Sequence, residues 1–389
     1  MSWRPGPAVR ALSGAAALAV AMGVGRFAYT ALLPSLQAAL GFDDAAGGLI
    51  ASVNLVGYLA GVLWARRTPP GAPRIWLLRC GLALSVLTTA AVTALAGLAG
   101  WAAVRFLSGV ASGLVFVLVS AAVLEVLPRG RERLSGVLFA GVGCGIALSG
   151  AVTALAGPAG WRAPWLWLGG LAGLLSLPAL VMAPGEPVAR DLAPARAPDG
   201  GGASHDGVTF DRLAVAYGLE GLGYIVSGTF AVRAVQHTQG LAAWASWVWV
   251  AAGLAAVPSA ALWSALSRRL GPRWALVAAM ATQAAGMALP ALSDTGAAAV
   301  LGALFFGGTF IGIVTVTMEL ARRLMPEAAV RAIGSLTAVY SVGQAVGPWL
   351  AGRLASAVGS PAPSVLAASG AVALGAVLLA LPARRGDGI

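Results

Sequence analysis

The sequence predicts an all-α membrane protein with twelve transmembrane helices, arranged as two pseudo-symmetric six-helix bundles. The first observation is composition: 59% of the residues are hydrophobic and 10% are charged, whereas a soluble domain carries about 25% charged residues. The second is that apolar residues form long continuous runs rather than alternating patterns, which excludes an outer-membrane barrel. The third is an internal repeat, in which short patterns recur 195 to 202 residues apart.

A chain of 389 residues is long enough for about twelve spans of roughly 20 residues joined by short loops. The first apolar run mimics a signal peptide, but it continues through Arg26 to Pro34 without a clean cleavage site, so we expect it to be retained. The runs predict helices over residues 11–34, 47–65, 74–96, 99–124, 135–157, 162–183, 211–234, 243–266, 274–292, 296–321, 331–354 and 363–382.

One segment interrupts this pattern near the middle of the chain. It is rich in Pro, Gly and Asp and cannot bury a core, so it is typical of a flexible linker. Six spans precede it and six follow it. We therefore predict an N-terminal six-helix bundle over residues 1–183, a cytoplasmic linker over 184–210 and a C-terminal six-helix bundle over 211–389.

The two halves share ordered sets of residues, which indicates a duplication. In the first span of each half, Ala19-Val20-Ala21-Met22-Gly23 and Tyr29 correspond to Ala214-Val215-Ala216-Tyr217-Gly218 and Tyr224, at an offset of 195. At an offset of 198, Pro128, Arg133, Gly136, Ala140, Gly145 and Ala147 recur as Pro326, Arg331, Gly334, Ala338, Gly343 and Ala345. Small residues four apart let helices pack closely, which we expect at Gly57/Gly61, Gly109/Gly113, Gly141/Gly145/Ser149, Gly308/Gly312 and Gly343/Gly347.

The net charge of +11 is distributed as in an inner-membrane protein rather than a nucleic-acid-binding protein. All 25 basic residues are arginine, and most lie in short segments on one side of the predicted membrane. Only Arg162, Arg233 and Arg353 lie near the other side. This asymmetry predicts that both termini are cytoplasmic in a bacterial inner membrane.

Two opposite charges, Arg26 and Glu220, lie inside the first span of each half. A charge near the bilayer centre is costly, so it usually faces a protein interior or an aqueous cavity and serves a function. The planar guanidinium of Arg26 matches a carboxylate, which predicts that it binds an anionic group; the alternative is a structural ion pair or the capping of carbonyl groups. We expect Glu220 to couple transport to protons and to pair with Arg26 when the site is empty. The alternative is a fixed pair that holds the halves in register.

Polar side chains on neighbouring helical faces complete the predicted site. The solute-binding candidates are Arg26, Tyr29, Asn54, Tyr58, Tyr217, Tyr224 and Gln344. For Asn54, Tyr58 and Gln344, hydrogen bonding between helices is an equal alternative. Arg105 is predicted close to the periplasmic interface, as a second anion contact or as an ordinary interface arginine.

Several function classes are excluded by the absence of their motifs. The sequence has no P-loop, which argues against an ATP-driven pump, and no evident nucleophile–base set, which argues against an enzyme. Cys80 and Cys144 lie in different apolar spans and are predicted to be small packing residues. No cofactor or metal is expected.

Five segments together resemble the YbfB/YjiJ-type branch of the major facilitator superfamily. They are GVGRFAYTALLP (Gly23–Pro34), NLVGYLAG (Asn54–Gly61), VRFLSGVASGLVFVL (Val104–Leu118), GCGIALSG (Gly143–Gly150) and YSVGQAVGP (Tyr340–Pro348). The resemblance implies twelve helices, a substrate cavity between the halves and alternating access. The chain departs from the superfamily pattern in the loop after the second span, where Ala65 occupies the position of an aspartate; Ser267 does the same in the second half.

These observations predict a secondary transporter of a small organic solute, anionic or zwitterionic, coupled to protons and acting as a monomer in the lipid bilayer. The first alternative is a drug or metabolite exporter with an apolar cavity and a structural Arg26–Glu220 pair. The second is a membrane sensor on a transporter fold that does not transport.

Overall fold

The computed structural model describes residues 6–69, 71–124, 133–157, 159–180, 208–236 and 241–382. Most of the predicted linker lies outside these residues. Within them the chain is helical, with twelve long helices: α1 (Pro7–Leu40), α2 (Asp44–Arg67), α3 (Ala72–Ala94), α4 (Leu98–Leu124), α5 (Arg133–Ala156), α6 (Arg162–Leu180), α7 (Phe210–Gln236), α8 (Ala245–Leu270), α9 (Pro272–Leu292), α10 (Gly296–Leu324), α11 (Ala329–Val358) and α12 (Ala362–Ala380).

Eleven of these helices are long and apolar enough to cross a membrane. The remaining one, α11, has sufficient length, with 30 residues, but carries Arg331, Tyr340, Gln344 and Arg353, which lower its hydropathy. Polar residues in a transmembrane helix usually face the protein interior, and Tyr340 and Gln344 are indeed buried. The twelve predicted spans are therefore confirmed as helices.

Helix α1 is longer and less regular than predicted. It continues past Pro34 to Leu40, where Gly41 ends it in the left-handed conformation with φ of 69° and donates its N–H to Gln37. The predicted end at Pro34 is wrong because neighbouring helices let a membrane helix tolerate a proline. The segment Ala19–Phe27 is a π-helix, a rare form that occurs frequently at functional sites.

The two halves repeat the same close packing at glycines. A Cβ on Gly109 of α4 would overlap the backbone of Asn54 in α2, and a Cβ on Gly307 of α10 would overlap the backbone of Ala252 in α8. Both members of the second pair lie 198 residues after those of the first. Only glycine lets the backbones approach this closely. The predicted pseudo-symmetry is thus confirmed at the level of helix contacts.

The prediction for the two cysteines is wrong. Cys80 in α3 and Cys144 in α5 are both exposed on the protein surface instead of serving as packing residues. Their small size and low polarity suit an apolar helix surface as well as a core, so the sequence pattern alone did not distinguish the two placements.

The twelve helices have their ends at two faces of the molecule. We call the face where α1 begins the terminus face, and the face where α1 ends the opposite face. Near the opposite face, polar contacts join the halves: Asp44 of α2 pairs with Arg233 of α7 at 3.3 Å, Ser356 of α11 donates to Asp43 at 3.0 Å, and the N–H of Trp349 donates to Ser52 at 3.0 Å. The halves are therefore in contact from mid-depth to the opposite face.

Candidate functional site

Arg26 lies in the π-helical segment of α1, where the two halves meet. Its side chain is buried, and its Nη2 donates to the hydroxyl of Tyr224 in α7 at 3.0 Å. The guanidinium carbon lies 4.9 Å from the ring centroid of Tyr58 and 5.1 Å from that of Phe27, both within cation–π range. Its Nε is buried without a hydrogen-bond partner. A positive group with an unused donor thus faces the C-terminal half.

Tyr224 is the junction of the site on the C-terminal side. Its hydroxyl accepts hydrogen bonds from Arg26 and from the side-chain amide of Gln344 in α11. Its ring lies nearly parallel to the rings of Tyr340, at 5.6 Å and 10°, and of Phe310, at 6.0 Å and 7°. These separations are within the range of offset-stacked aromatic pairs. The stacked rings therefore hold in place the Tyr224 hydroxyl that accepts from Arg26.

The rings around Tyr224 form a continuous set, which we call the aromatic layer. It consists of Tyr217, Tyr224, Trp249, Phe306, Phe310 and Tyr340, all buried and all in the C-terminal half. Tyr217 stacks on Tyr340 at 4.3 Å, and Trp249 lies 6.3 Å from Phe306. Phe27 of α1 meets the layer at Phe310, with the ring centroids 6.0 Å apart. The layer thus supplies flat apolar surface next to the Arg26 guanidinium.

Glu220 does not face Arg26. It is fully buried inside the C-terminal half, and neither carboxylate oxygen has a partner that meets hydrogen-bond geometry. Its polar neighbours are the amide of Gln283 in α9 and the hydroxyl of Tyr340 in α11. The expected Arg26–Glu220 ion pair is therefore wrong for this conformation. The reason is depth: Arg26 contacts Tyr224 and Thr30 contacts Gly228, so Glu220, one helical turn before Tyr224 in α7, does not lie level with Arg26.

Arg105 supports the π-helical segment rather than facing the membrane interface. Its two terminal nitrogens donate to the carbonyls of Gly25, at 2.6 Å, and Arg26, at 3.1 Å. Ser108 donates to the Gly25 carbonyl at 2.8 Å and Ser112 to the Ala21 carbonyl at 2.7 Å. A change from π to α register leaves carbonyl groups without a helical partner, and α4 satisfies them. Carbonyl capping was expected as an alternative role for Arg26, but Arg105 performs it.

Tyr29 and Asn54 form hydrogen bonds between helices of the N-terminal half. The Tyr29 hydroxyl donates to the carbonyl of Gly47 at 3.0 Å, and the Asn54 amide donates to the carbonyl of Arg105 at 2.7 Å. The guanidinium carbon of Arg105 lies 5.1 Å from the Tyr29 ring centroid. In this conformation both side chains favour the helix-packing alternative over contact with a solute.

The structure therefore brings together Arg26, Tyr58, Tyr224 and Gln344 from the predicted set, and Tyr340 connects them to Tyr217. Their role as solute-binding residues stays a prediction. Sequence reasoning missed the part played by Gln283, Phe306 and Phe310. The signals were present: Gln283 is a lone amide in the apolar span of α9, and the two phenylalanines recur at i and i+4 on α10.

Within the part of the chain that the structure describes, no group of three or more His, Cys, Asp and Glu side chains could hold a metal ion. The site's donors are a guanidinium, hydroxyls and amides, which bind anions and polar groups rather than metal cations.

Solved structures of similar fold are membrane transporters. An Asp-to-Ala mutant of the nucleoside transporter NupG has a TM-score of 0.76 at 14% identity, covering 95% of this chain and 99% of that chain. A bacterial homologue of the human lysosomal transporter Spinster, in an inward-facing and unoccupied conformation, has a TM-score of 0.69 at 13% identity, covering 97% and 96%. Among curated protein sequences, none is significantly similar to the chain.

The family model described as "Uncharacterised MFS-type transporter YbfB" matches residues 18–380 and thus includes every helix, with α1 from Leu18 onward. This match agrees with the twelve-helix fold of two pseudo-symmetric halves. The chain therefore belongs to the YbfB-type family of the major facilitator superfamily, a family of multi-pass membrane transporters and not of enzymes.

Proposed function

We propose that this protein is a secondary active transporter of the bacterial inner membrane that moves a small organic anion or zwitterion by alternating access, coupled to protons. The observation that carries the proposal is Arg26, a buried guanidinium at the junction of the halves with an unpartnered Nε. A buried charge without a full set of partners is costly, and an anionic group of the solute would supply the missing partner. In the empty protein, the Tyr224 hydroxyl partly fills this role.

The positions of the arginines support an orientation with the terminus face in the cytoplasm. In the described residues, paired arginines end the helices α2, α8 and α10 at this face: Arg66 and Arg67, Arg268 and Arg269, and Arg322 and Arg323. The opposite face has the isolated Arg162, Arg233 and Arg353. By the positive-inside rule, both termini and the linker are then cytoplasmic.

The contacts near the opposite face support a state that is closed on that face. Asp44, Ser52 and Ser356 join the halves on the periplasmic side of Arg26 in this orientation. Alternating access requires one side to be closed while the other opens. Transport then proceeds as the two bundles rock about the Arg26–Tyr224 level, with residues 1–183 and 211–389 as the moving units and the monomer as the working form.

Glu220 is the proton-coupling residue in this proposal. Its carboxylate is fully buried with no partner of good geometry, and it touches Gln283 and Tyr340 instead of a cation. Intramembrane carboxyl groups of this kind mark proton relays. Because Tyr340 stacks on Tyr224, a change of charge at Glu220 reaches the hydroxyl that binds Arg26 through one intervening ring.

A ligand screen tests the anion site. Organic anions added to the purified protein should raise its thermal unfolding temperature, since ligands that bind the folded state stabilise it. Arg26→Gln should lose every shift, whereas Arg353→Gln, an exposed arginine on α11, should keep them. Retained shifts in Arg26→Gln would show that the arginine is structural.

Proteoliposomes test the coupling. With an imposed pH gradient, Glu220→Gln should abolish gradient-driven uptake or efflux and spare exchange of solute. The matched control is Glu319→Gln, because Glu319 is an acid of α10 already paired with Arg323 outside the site. Gradient-driven transport in Glu220→Gln would contradict the coupling role.

A second candidate is an exporter of apolar drugs or metabolites. The aromatic layer favours it, since six buried rings provide apolar surface beside the junction. The same screen separates the two, because an apolar exporter would bind neutral compounds equally well in Arg26→Gln.

A further inference from the structure

The five tyrosines of this chain all lie inside the helices, although tyrosine in membrane proteins is normally enriched at the membrane–water interfaces. Tyr217, the one closest to a helix end, lies seven residues after Phe210, the start of α7. All five are buried: Tyr29, Tyr58, Tyr217, Tyr224 and Tyr340. Tyr29 joins two helices through its hydroxyl, but helix packing alone does not require hydroxylated rings at the other four positions, since leucine fills such space without a polar group.

Charge and ring surface come from different halves at the junction. The N-terminal half supplies the Arg26 guanidinium, held between the rings of Phe27 and Tyr58. The C-terminal half supplies the aromatic layer, with Tyr224 and Phe310 nearest to α1. A solute that enters between the halves therefore meets a cation on one side and flat rings on the other.

The orientation of the rings fits a planar guest. Relative to Tyr224, the rings of Phe310, Tyr340 and Phe306 are inclined by 7°, 10° and 18°. Another ring inserted in the same orientation makes offset-stacked contacts with this set, whereas a puckered aliphatic ring does not. A carboxylate conjugated to an aromatic ring lies in the ring plane. It can then accept from the unpartnered Nε of Arg26 in the bidentate manner typical of arginine.

We propose that the transported anion is a small aromatic carboxylate, with its carboxylate on Arg26 and its ring against Tyr224 and Phe310. This inference rests on the proposed anion binding at Arg26. Cationic aromatic ligands are disfavoured because Arg26 of α1 and Arg105 of α4, which bonds the Gly25 carbonyl, place two positive charges here, while Glu220 is buried within the C-terminal half.

A pair of ligands of equal charge and similar size tests the inference on the unaltered protein. Benzoate and cyclohexanecarboxylate differ in the π-face and planarity of the ring, and aromatic pairing corresponds to a preference of about 3- to 10-fold. We expect the dissociation constant of benzoate, measured by titrated thermal shift, to be lower by this factor. Equal constants would overturn the aromatic assignment.

Two variants of α10 locate the preference. Phe310→Leu should reduce the benzoate preference to about 1-fold. Phe305→Leu, on a different face of the same helix and at a side chain that is 38% exposed, should keep it. A preference that survives in Phe310→Leu would overturn the placement of the ring.

The failure of this inference is distinguishable from the failure of the proposed function. If both carboxylates bind equally and Arg26→Gln loses both, the anion site stands and the aromatic assignment falls. If benzoate still binds to Arg26→Gln, the anion site itself is contradicted.

Discussion

The two halves of this transporter pack alike but differ where they face each other. Helices α4 and α10 begin 198 residues apart, at Leu98 and Gly296. At the same offset, Ser108 and Ser112 of α4 correspond to Phe306 and Phe310 of α10, and Arg105 corresponds to Ala303. In the N-terminal half all three side chains bind carbonyls of the π-helix, whereas in the C-terminal half the two phenylalanines form part of the aromatic layer.

The helices that these positions support differ accordingly. The π-helical segment of α1 needs polar partners for its carbonyls, and Arg105 and the two serines provide them. Its equivalent, α7, is a regular α-helix whose carbonyls bond within the helix, so apolar rings can pack on it. One duplicated framework thus yields a charged half and an aromatic half, and the divergence is concentrated at the junction where a solute would bind.

The largest effect is expected from a glycine that both halves possess at corresponding positions. A Cβ on Gly23 would overlap the backbone of Gly145, whereas a Cβ on Gly218, its counterpart in α7, would meet the Val339 side chain at 2.7 Å. Side chains can move more easily than backbone. Gly23→Ala should therefore lower the unfolding free energy by about 3 kcal/mol or more and Gly218→Ala by about 1 kcal/mol.

Thermal denaturation in detergent measures both changes. Gly170→Ala is the control, because a Cβ there meets no atom within 4 Å. Equal losses in the two α1 and α7 variants would mean that the helices are packed with the same tolerance, contrary to the structure.

The second prediction removes the support of the π-helix. Arg105→Met keeps a long side chain but leaves the carbonyl of Arg26 without this partner, and the Gly25 carbonyl then depends on Ser108 alone. A lost charged hydrogen bond in the interior costs about 2–3 kcal/mol. We expect this loss in the unfolding free energy, together with weaker anion binding as Arg26 loses its fixed position.

Arg162→Met is the control for arginine removal, because Arg162 also donates to a carbonyl, that of Thr93, but at an exposed loop. If Arg105→Met keeps wild-type stability, the π-helical segment does not depend on α4.

Much of the fold was predictable from the sequence, and part of the site was not. Runs of mainly apolar residues predicted all twelve helices, because a membrane-spanning helix needs about 20 such residues, although α11 is less apolar than the other eleven. The four-residue spacing of small residues predicted most of the close helix contacts, because a residue without a Cβ permits them; Gly308 is the exception, since the nearest atom to a Cβ there is 4.0 Å away. The π-helix has no comparable sequence pattern, because it depends on the carbonyl capping by Arg105, which lies some 80 residues away.

The Arg26–Glu220 pair failed for a related reason. The offset of 195 predicted that the two residues lie at the same depth, but the contacts between α1 and α7 follow an offset of 198, as in Arg26–Tyr224 and Thr30–Gly228. Tyr224, one turn after Glu220, therefore lies level with Arg26 and contacts it instead. Tyrosine carries no charge, so the Arg26–Tyr224 contact between the halves could not be predicted by matching opposite charges.

The third prediction uses this tyrosine and its counterpart. Tyr224→Phe removes the hydroxyl that accepts from Arg26 of the other half and from Gln344 of its own half. Tyr29→Phe, at the equivalent position of α1, removes a hydrogen bond to Gly47 inside one half. Each change costs about 1 kcal/mol in stability. Only Tyr224→Phe should change the separation of the halves.

Spin-label distances between Ala96→Cys and Asp294→Cys report this separation, because both residues are exposed near the opposite face in different halves. The native cysteines, Cys80 and Cys144, are first replaced by serine. A broadened or lengthened distance in Tyr29→Phe equal to that in Tyr224→Phe would contradict the distinction between the two tyrosines.

The smallest effect is expected at the edge of the opposite face. Asp44 of α2 pairs with Arg233 of α7 at 3.3 Å, but the Arg233 side chain is 27% exposed. A partly solvated pair contributes about 0.2–1 kcal/mol. In a double-mutant cycle with Asp44→Asn and Arg233→Gln, measured by thermal denaturation in detergent, the coupling energy should fall in this range and below the stability lost in Tyr224→Phe.

This order of effects has a consequence for transport. If the Arg26–Tyr224 contact holds the halves together more strongly than the ion pair at the edge, then a solute that takes Arg26 from Tyr224 acts on the stronger of these two connections between the halves. Whether the two halves separate or stay together would then depend on whether the solute occupies the site. A coupling energy at Asp44–Arg233 larger than the effect of Tyr224→Phe would instead place control at the opposite face, where the solute makes no contact.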